Sequence, residues 1–191
     1  MEDEKRSVNC QDRMFSPGCN TLIPVKTIHE NPWFSLKCRG GYYTIEYHYH
    51  QVVVLPVVDE HSIVMVRVKR PVIADTPLEL PAGGSNPDET PLDAITRELG
   101  EETGIIIKDH KRFRLLPSIA ISPNRYPILP WIYKINISEK EFLERKKHDT
   151  EIASVELFSF DEVCQMIRAG LIYVSLPLAI ISRFLLDKKL N

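Results

Sequence analysis

Between Thr90 and Gly104 the chain carries a helix signal with two opposed faces. Thr90 suits an N-cap, Pro91 fits the first helical position, Asp93 favours the positive helix end, and Gly104 is a C-terminal stop. Leu92, Ile95 and Leu99 recur at i, i+3 and i+7, so one face is apolar and must be buried. The other face carries Glu98, Glu101 and Glu102, at i, i+3 and i+4. Like charges at that spacing weaken a helix. A divalent cation would reverse the sign of that cost, and hard carboxylate oxygens suit Mg2+, with Mn2+ as a substitute. Arg97 lies four residues before Glu101 and can orient its carboxylate without occupying a metal position. An acidic helix face alone is usually solvated surface, so the surrounding pattern must decide.

That helix sits among strand-like runs. Residues 33–38 and 42–49 flank Gly40-Gly41 as a hairpin, and 51–58 and 62–68 flank Asp59-Glu60-His61 as a second. The near-continuous β-branched character of the second pair predicts central, buried strands. A short strand at 78–84 runs into a glycine-rich turn. Further strands are expected near 105–108, 113–118, 129–135 and, after a charged loop, 155–160; helices are expected near 161–169 and 176–186. The fold class is α/β (α+β): a mixed sheet covered by helices. Three parts are expected: a loosely ordered polar segment at 1–20, a small antiparallel β unit at 21–50, and the main domain at 51–191.

The net charge of -2 supplies no general attraction to nucleic acid, so anionic substrates would need local Arg, Lys or metal charge. The longest apolar run, 170–186, is broken by Pro177 and Arg183 and falls short of a membrane span. Residues 1–6 lack a signal-peptide pattern. Four cysteines without a CxxC pair fit free thiols in a reducing compartment. The expectation is a cytoplasmic protein with neither nucleic-acid nor membrane partners.

The stretch 83–105 reads G-x5-E-x7-R-E-L-G-E-E-T-G-I, through Gly83, Glu89, Arg97, Glu98, Leu99, Glu101, Glu102, Gly104 and Ile105. It resembles the Nudix box, GX5EX7REUXEEXGU with U aliphatic, at every defining position. A full match by chance in a chain this long is on the order of one in ten million. The resemblance implies an α/β/α sandwich on which the helix glutamates bind magnesium and a diphosphate linkage is hydrolysed. Carried over by position, Glu98 and Glu102 are the main metal ligands, Glu101 is a ligand or the partner of one, and Arg97 orients the carboxylates. Glu89 falls to a structural role.

The flanks, most of 28–187, are similar to the ADP-ribose pyrophosphatase branch, which cleaves nucleoside diphosphate sugars. That similarity implies the carbonyl of Ala82 as a metal ligand, Arg70 and Glu79 in substrate binding, Trp33 as a base-stacking platform, and a homodimer built through the N-terminal strands. The acidic loop at 148–151 supplies Glu151 as a further metal ligand or general base, with Asp149 beside it. The chain also departs from that branch. Val68-Lys69 stands where a glutamine and an aromatic are usual, and Leu78 replaces a tryptophan. After the box, the loop at 122–127 carries Arg125 where an acid is usual, which suits a phosphate or another distal group. The substrate classes in view are therefore ADP-ribose or a related nucleotide sugar, another diphosphate such as a nucleoside triphosphate or dinucleotide, and, as a different class, a non-catalytic nucleotide sensor. His48 and His50 are read as sharing a strand face, Cys164 as core, and 144–148 as solvated loop or helix end.

Overall fold

The computed structural model describes residues 21–190, apart from the side chains at 189 and 190. The expectation for 1–20 lies outside the described residues. The described residues open with a three-stranded antiparallel sheet in the order β1 (Val25–Glu30), β2 (Phe34–Arg39), β3 (Tyr42–Tyr47). β2 and β3 form the expected hairpin, with Phe34 opposite Tyr47 and Arg39 opposite Tyr42. β1 was not among the expected strands. Every one of its residues is exposed, so its sequence carries no burial alternation to read.

The second sheet comprises β4 (Gln51–Val58), β5 (Ser62–Val68), β6 (Leu78–Glu79), β7 (Ala82–Gly84), β8 (Arg114–Leu116), β9 (Trp131–Ile137) and β10 (Ile152–Ser159). Its path runs β10-β5-β4-β9-β8, with β6 on β5 and β7 on β4. β4 and β9 pair in parallel and the other pairs are antiparallel, so the sheet is mixed. At the β4–β5 turn, Asp59 and Glu60 both take positive φ, the geometry that matches strand twist in a tight hairpin.

Among the described residues four α-helices complete the fold: α1 (Pro91–Thr103), α2 (Glu139–Leu143), α3 (Phe160–Arg168) and α4 (Ser175–Leu190). The side chains of β4 alternate between two cores. Val52, Val54 and Val58 pack in the cluster that holds Ala94, Ile95 and Leu99 of α1. Val53, Leu55 and Val57 pack in the cluster that holds Val163 of α3 and Ile180, Ile181 and Leu185 of α4. A period of two thus sends one strand into both layers of a helix–sheet–helix sandwich. Each fully buried aliphatic side chain contributes about 1.5–3 kcal/mol to that arrangement.

Three local expectations are corrected. Residues 105–108 are extended but form no ladder; Ile105 and Ile107 are buried in the α1 core while Ile106 and Lys108 stay out. The alternation there records packing, not strand pairing. Part of the charged loop is α2, which opens with a reciprocal capping box between Ser138 and Glu141. His48 and His50 lie beyond the end of β3 and part company: His48 Nε2 meets Ser35 Oγ at 2.8 Å, whereas His50 Nδ1 accepts from Trp131 Nε1 at 3.2 Å. Among the described residues, no helix is long and apolar enough to cross a membrane.

Candidate active site

α1 forms as its sequence dictates. Thr90 Oγ1 accepts from the backbone N–H of Asp93, and Gly104 closes the helix in the left-handed region at φ 76°. Gly104 also lies flat against the backbone of Lys146, whose N–H donates to the Gly104 carbonyl at 2.8 Å. With Ile95 and Leu99 buried in the core, the glutamates are turned toward β7 and the loop before it.

Arg97 is the hub of that face. Its Nε and Nη2 donate to the two oxygens of Glu89 at 3.0 Å each, and Nη2 also donates to the Gly84 carbonyl at 2.8 Å. Nη1 is shared between Glu98 Oε1 at 2.9 Å and Glu101 Oε2 at 2.8 Å. One rigid guanidinium therefore ties the glycine-rich loop to three carboxylates. The hydrogen bonds that Arg97 donates to Glu89, then those to Glu101 and Glu98, hold the guanidinium pKa above its ordinary value against the cost of burial.

Glu102 differs from its neighbours. It is 5% exposed, and among the described residues its carboxylate takes a single hydrogen bond, from the Ala82 N–H at 2.9 Å. Burial pushes its pKa up to about 8; the Ala82 bond opposes that, and the charges of Glu98 and Glu151 add to it. Burial also raises Glu98, with Arg97 pulling the other way. The same contact sets Ala82 beside Glu102. Gly83, next in the chain, lies against the Glu98 carboxylate, so that a Cβ there would overlap it.

The loop at 146–151 reaches the same place. The Asp149 N–H donates to the Glu101 carbonyl at 2.8 Å, and the Lys69 N–H donates to the Glu151 carbonyl at 3.0 Å. Glu151 is close enough to act electrostatically on both Glu102 and Arg70. Arg70 is engaged by both oxygens of Glu79, at 2.8 and 2.9 Å. Backbone bonds thus tie the loop to Glu101 and Lys69, and charge links Glu151 to Glu102 and Arg70.

Trp33 and Arg125 make their contacts at the N-terminal sheet. Trp33 is 69% exposed beside the N-terminal sheet, its N–H held by Asn31 Oδ1. Arg125 donates through Nη1 to the Tyr43 carbonyl at 2.9 Å, its own carbonyl accepts from the Ile45 N–H, and the neighbouring Tyr126 stacks on Tyr47. The altered loop after the box thus fastens the N-terminal sheet to the main one. Lys69 is a residue the sequence reading passed over. Its Nζ donates to the Thr150 carbonyl at 2.6 Å. The only signal was a cation in place of an aromatic just before Arg70.

Among the described residues, no three His, Cys, Asp or Glu side chains stand together as a ready metal cage. The donor set nonetheless fits a hard divalent cation. Glu102 is a carboxyl whose pKa is raised first by burial and then by the charges of Glu98 and Glu151, the hard oxygen chemistry that such a cation takes. Arg97 now holds Glu98 and Glu101 by one oxygen each and leaves the other oxygen of each outside its grip.

Comparison with known proteins agrees with the geometry. The NUDIX domain family model matches residues 48–174. Phosphatase NudJ of Escherichia coli K12 and of Shigella flexneri are each 33% identical to this chain over 85 residues, which is 44% of this chain and 53% of theirs. The chain thus spans about half the length of the curated relatives it matches. A crystal structure of an ADP compounds hydrolase superposes with a TM-score of 0.59 at 17% identity, covering 88% of this chain and 95% of that one, and shows the shared fold. With a family model spanning well over half its length and every defining residue of the box in place, the chain belongs to the Nudix family.

Proposed function

We propose that this chain is a magnesium-dependent hydrolase that cleaves the diphosphate of ADP-ribose or a related nucleoside diphosphate sugar into a nucleoside monophosphate and a sugar phosphate. The observation that carries the reading is the Glu102 carboxyl, buried beside Glu98 and Glu151 with one N–H for company. Such a group is costly unless a cation belongs there. Glu98, Glu101, Glu102, Glu151 and the Ala82 carbonyl would hold Mg2+, or Mn2+ in its place. When bound, the metal supplies neutralisation of the phosphate oxygens and a lowered pKa for a bound water.

The chain's own residues do the rest. Arg97 fixes Glu98 and Glu101 by one oxygen each, so their other oxygens keep a constant direction. Glu151, exposed at the end of its loop, takes the proton from the attacking water, with Asp149 beside it. The water oxygen bonds to one phosphorus as the bridging P–O bond breaks, and the leaving phosphate carries that bond's electron pair. Arg70, set by Glu79, offers its exposed edge to the substrate's phosphates. Trp33, exposed on the N-terminal unit, stacks on the base, and Arg125 meets the distal group. The unit at 21–50 also supports a homodimer: its edge strand β1 is exposed throughout, with Ile23, Val25 and Ile28 among the exposed apolar residues. Cytoplasmic residence completes the reading.

One observation favours a second reading. Arg125 replaces an acid and its loop is bound to Tyr43, Ile45 and Tyr47, which reshapes the rim where a distal sugar would lie. A nucleoside triphosphate or dinucleotide would then be the better substrate. Purified protein with Mg2+, offered nucleotide sugars, triphosphates and dinucleotides in parallel, decides between them. Monophosphate release fastest from a nucleotide sugar supports the first reading, and a triphosphate outpacing every sugar overturns it. Ligand affinity with no turnover at all would mark a sensor.

A further inference from the structure

Lys69 follows the last residue of β5, just before Arg70, and it grips two successive carbonyls of the acidic loop. Its backbone N–H donates to Glu151, and its Nζ donates to Thr150 at 2.6 Å. On the other side, the Asp149 N–H donates to the Glu101 carbonyl and the Lys146 N–H to the Gly104 carbonyl. The loop is thereby stretched between the segment that follows β5 and the helix that carries the glutamates. Of these four ties, three are backbone to backbone. The fourth depends on one side chain, and an ammonium bound to a carbonyl is a charge-assisted bond.

We propose that Lys69 is a positioning residue, a clasp that holds the acidic loop so that Glu151 is presented to Glu102 before any substrate arrives. The inference rests on the role given to Glu151 above. A loop fastened on both flanks gives up little conformational freedom when a cation or substrate binds, which is the physical advantage of preorganisation. Lys69 itself need not touch substrate. Its effect runs through the position of residues 149–151.

Two substrate-free measurements test the clasp. In Lys69→Met, which keeps most of the stem and removes the ammonium, hydrogen exchange at the amides of Lys69, Asp149 and Ile152 is expected to quicken. Mn2+ titration, followed by electron paramagnetic resonance, is expected to show about fivefold weaker binding. Lys69→Arg is expected to restore both. The Mn2+ effect should vanish in a Glu151→Gln background, because the clasp has nothing left to position. Unchanged exchange in Lys69→Met overturns the clasp. Unchanged Mn2+ affinity, or an equal Mn2+ loss with and without Glu151, overturns its link to the metal site. If the wild-type protein hydrolyses no nucleotide sugar, the proposed substrate class falls, while both readouts still decide the clasp. Where turnover is found, Lys69→Met should lower kcat with KM little changed.

Discussion

Gly83 and Glu98 meet so closely that a single methyl group on the glycine would overlap Glu98 Oε1. The box glycine is therefore a spatial requirement of the Glu98 carboxylate. The obstructing atoms are the end of a flexible side chain, so Gly83→Ala should fold, with Glu98 swung aside. Activity should fall by about 100-fold, as expected when a ligand is misplaced, with little change in melting temperature. Thermal unfolding measured beside turnover checks this; a large drop in stability with matching loss of soluble protein would point to packing instead.

Arg97→Lys retains the charge and loses the fork. Lysine cannot bind both oxygens of Glu89 while also holding Glu98, Glu101 and the Gly84 carbonyl. A loss of about 10- to 100-fold in kcat is expected, with weaker Mg2+ activation, read from rate against metal concentration. Activity equal to wild type would show that the hub is dispensable.

Acid should strike the N-terminal sheet in a defined window. Burial raises the Glu46 carboxyl, but hydrogen bonds from Arg39, Thr44 and Lys37 outweigh it and bring the pKa down to about 2. A carboxyl depressed in the folded state stabilises it above its unfolded pKa, and that contribution is lost as pH falls from about 4.5 toward 2. The contribution at stake is up to about 3 kcal/mol. Denaturant unfolding of wild type and Glu46→Gln across that range should converge at the acid end; parallel curves would remove Glu46 from the account.

Removing the cation should be visible without substrate. On the proposed function either Mg2+ or Mn2+ should raise the melting temperature, and EDTA should reverse the gain. Glu102→Gln should abolish the metal-dependent gain while leaving the metal-free protein at least as stable as wild type, because a buried carboxyl that resists ionisation becomes a neutral amide.

Much of this site was legible because its determinants are local. Thr90, Pro91 and Gly104 bound the helix, and the spacing of Glu98, Glu101 and Glu102 against Leu92, Ile95 and Leu99 separates its two faces. The central strands were readable because β4 and β5 are buried on both faces and need continuous apolar runs. What escaped depends on distant partners. The Lys69–Thr150 contact joins residues far apart in sequence, and neither residue is distinctive alone. β1 hides because exposed strands leave no burial signature. Residues 105–108 misled because side-chain alternation arises whenever an extended segment lies on a core, whether or not a strand lies beside it. Arg125 looked like a free cation until Tyr43 and Ile45 came to meet it.

The most direct measurement is Mg2+-dependent release of monophosphate from ADP-ribose by wild type and by Glu102→Gln. The account predicts turnover by the wild type that EDTA abolishes, and a loss of at least about 100-fold in the variant, which keeps the side chain's size and removes its charge. Glu102→Gln turning over near the wild-type rate would contradict the claim that this buried carboxylate holds the catalytic metal.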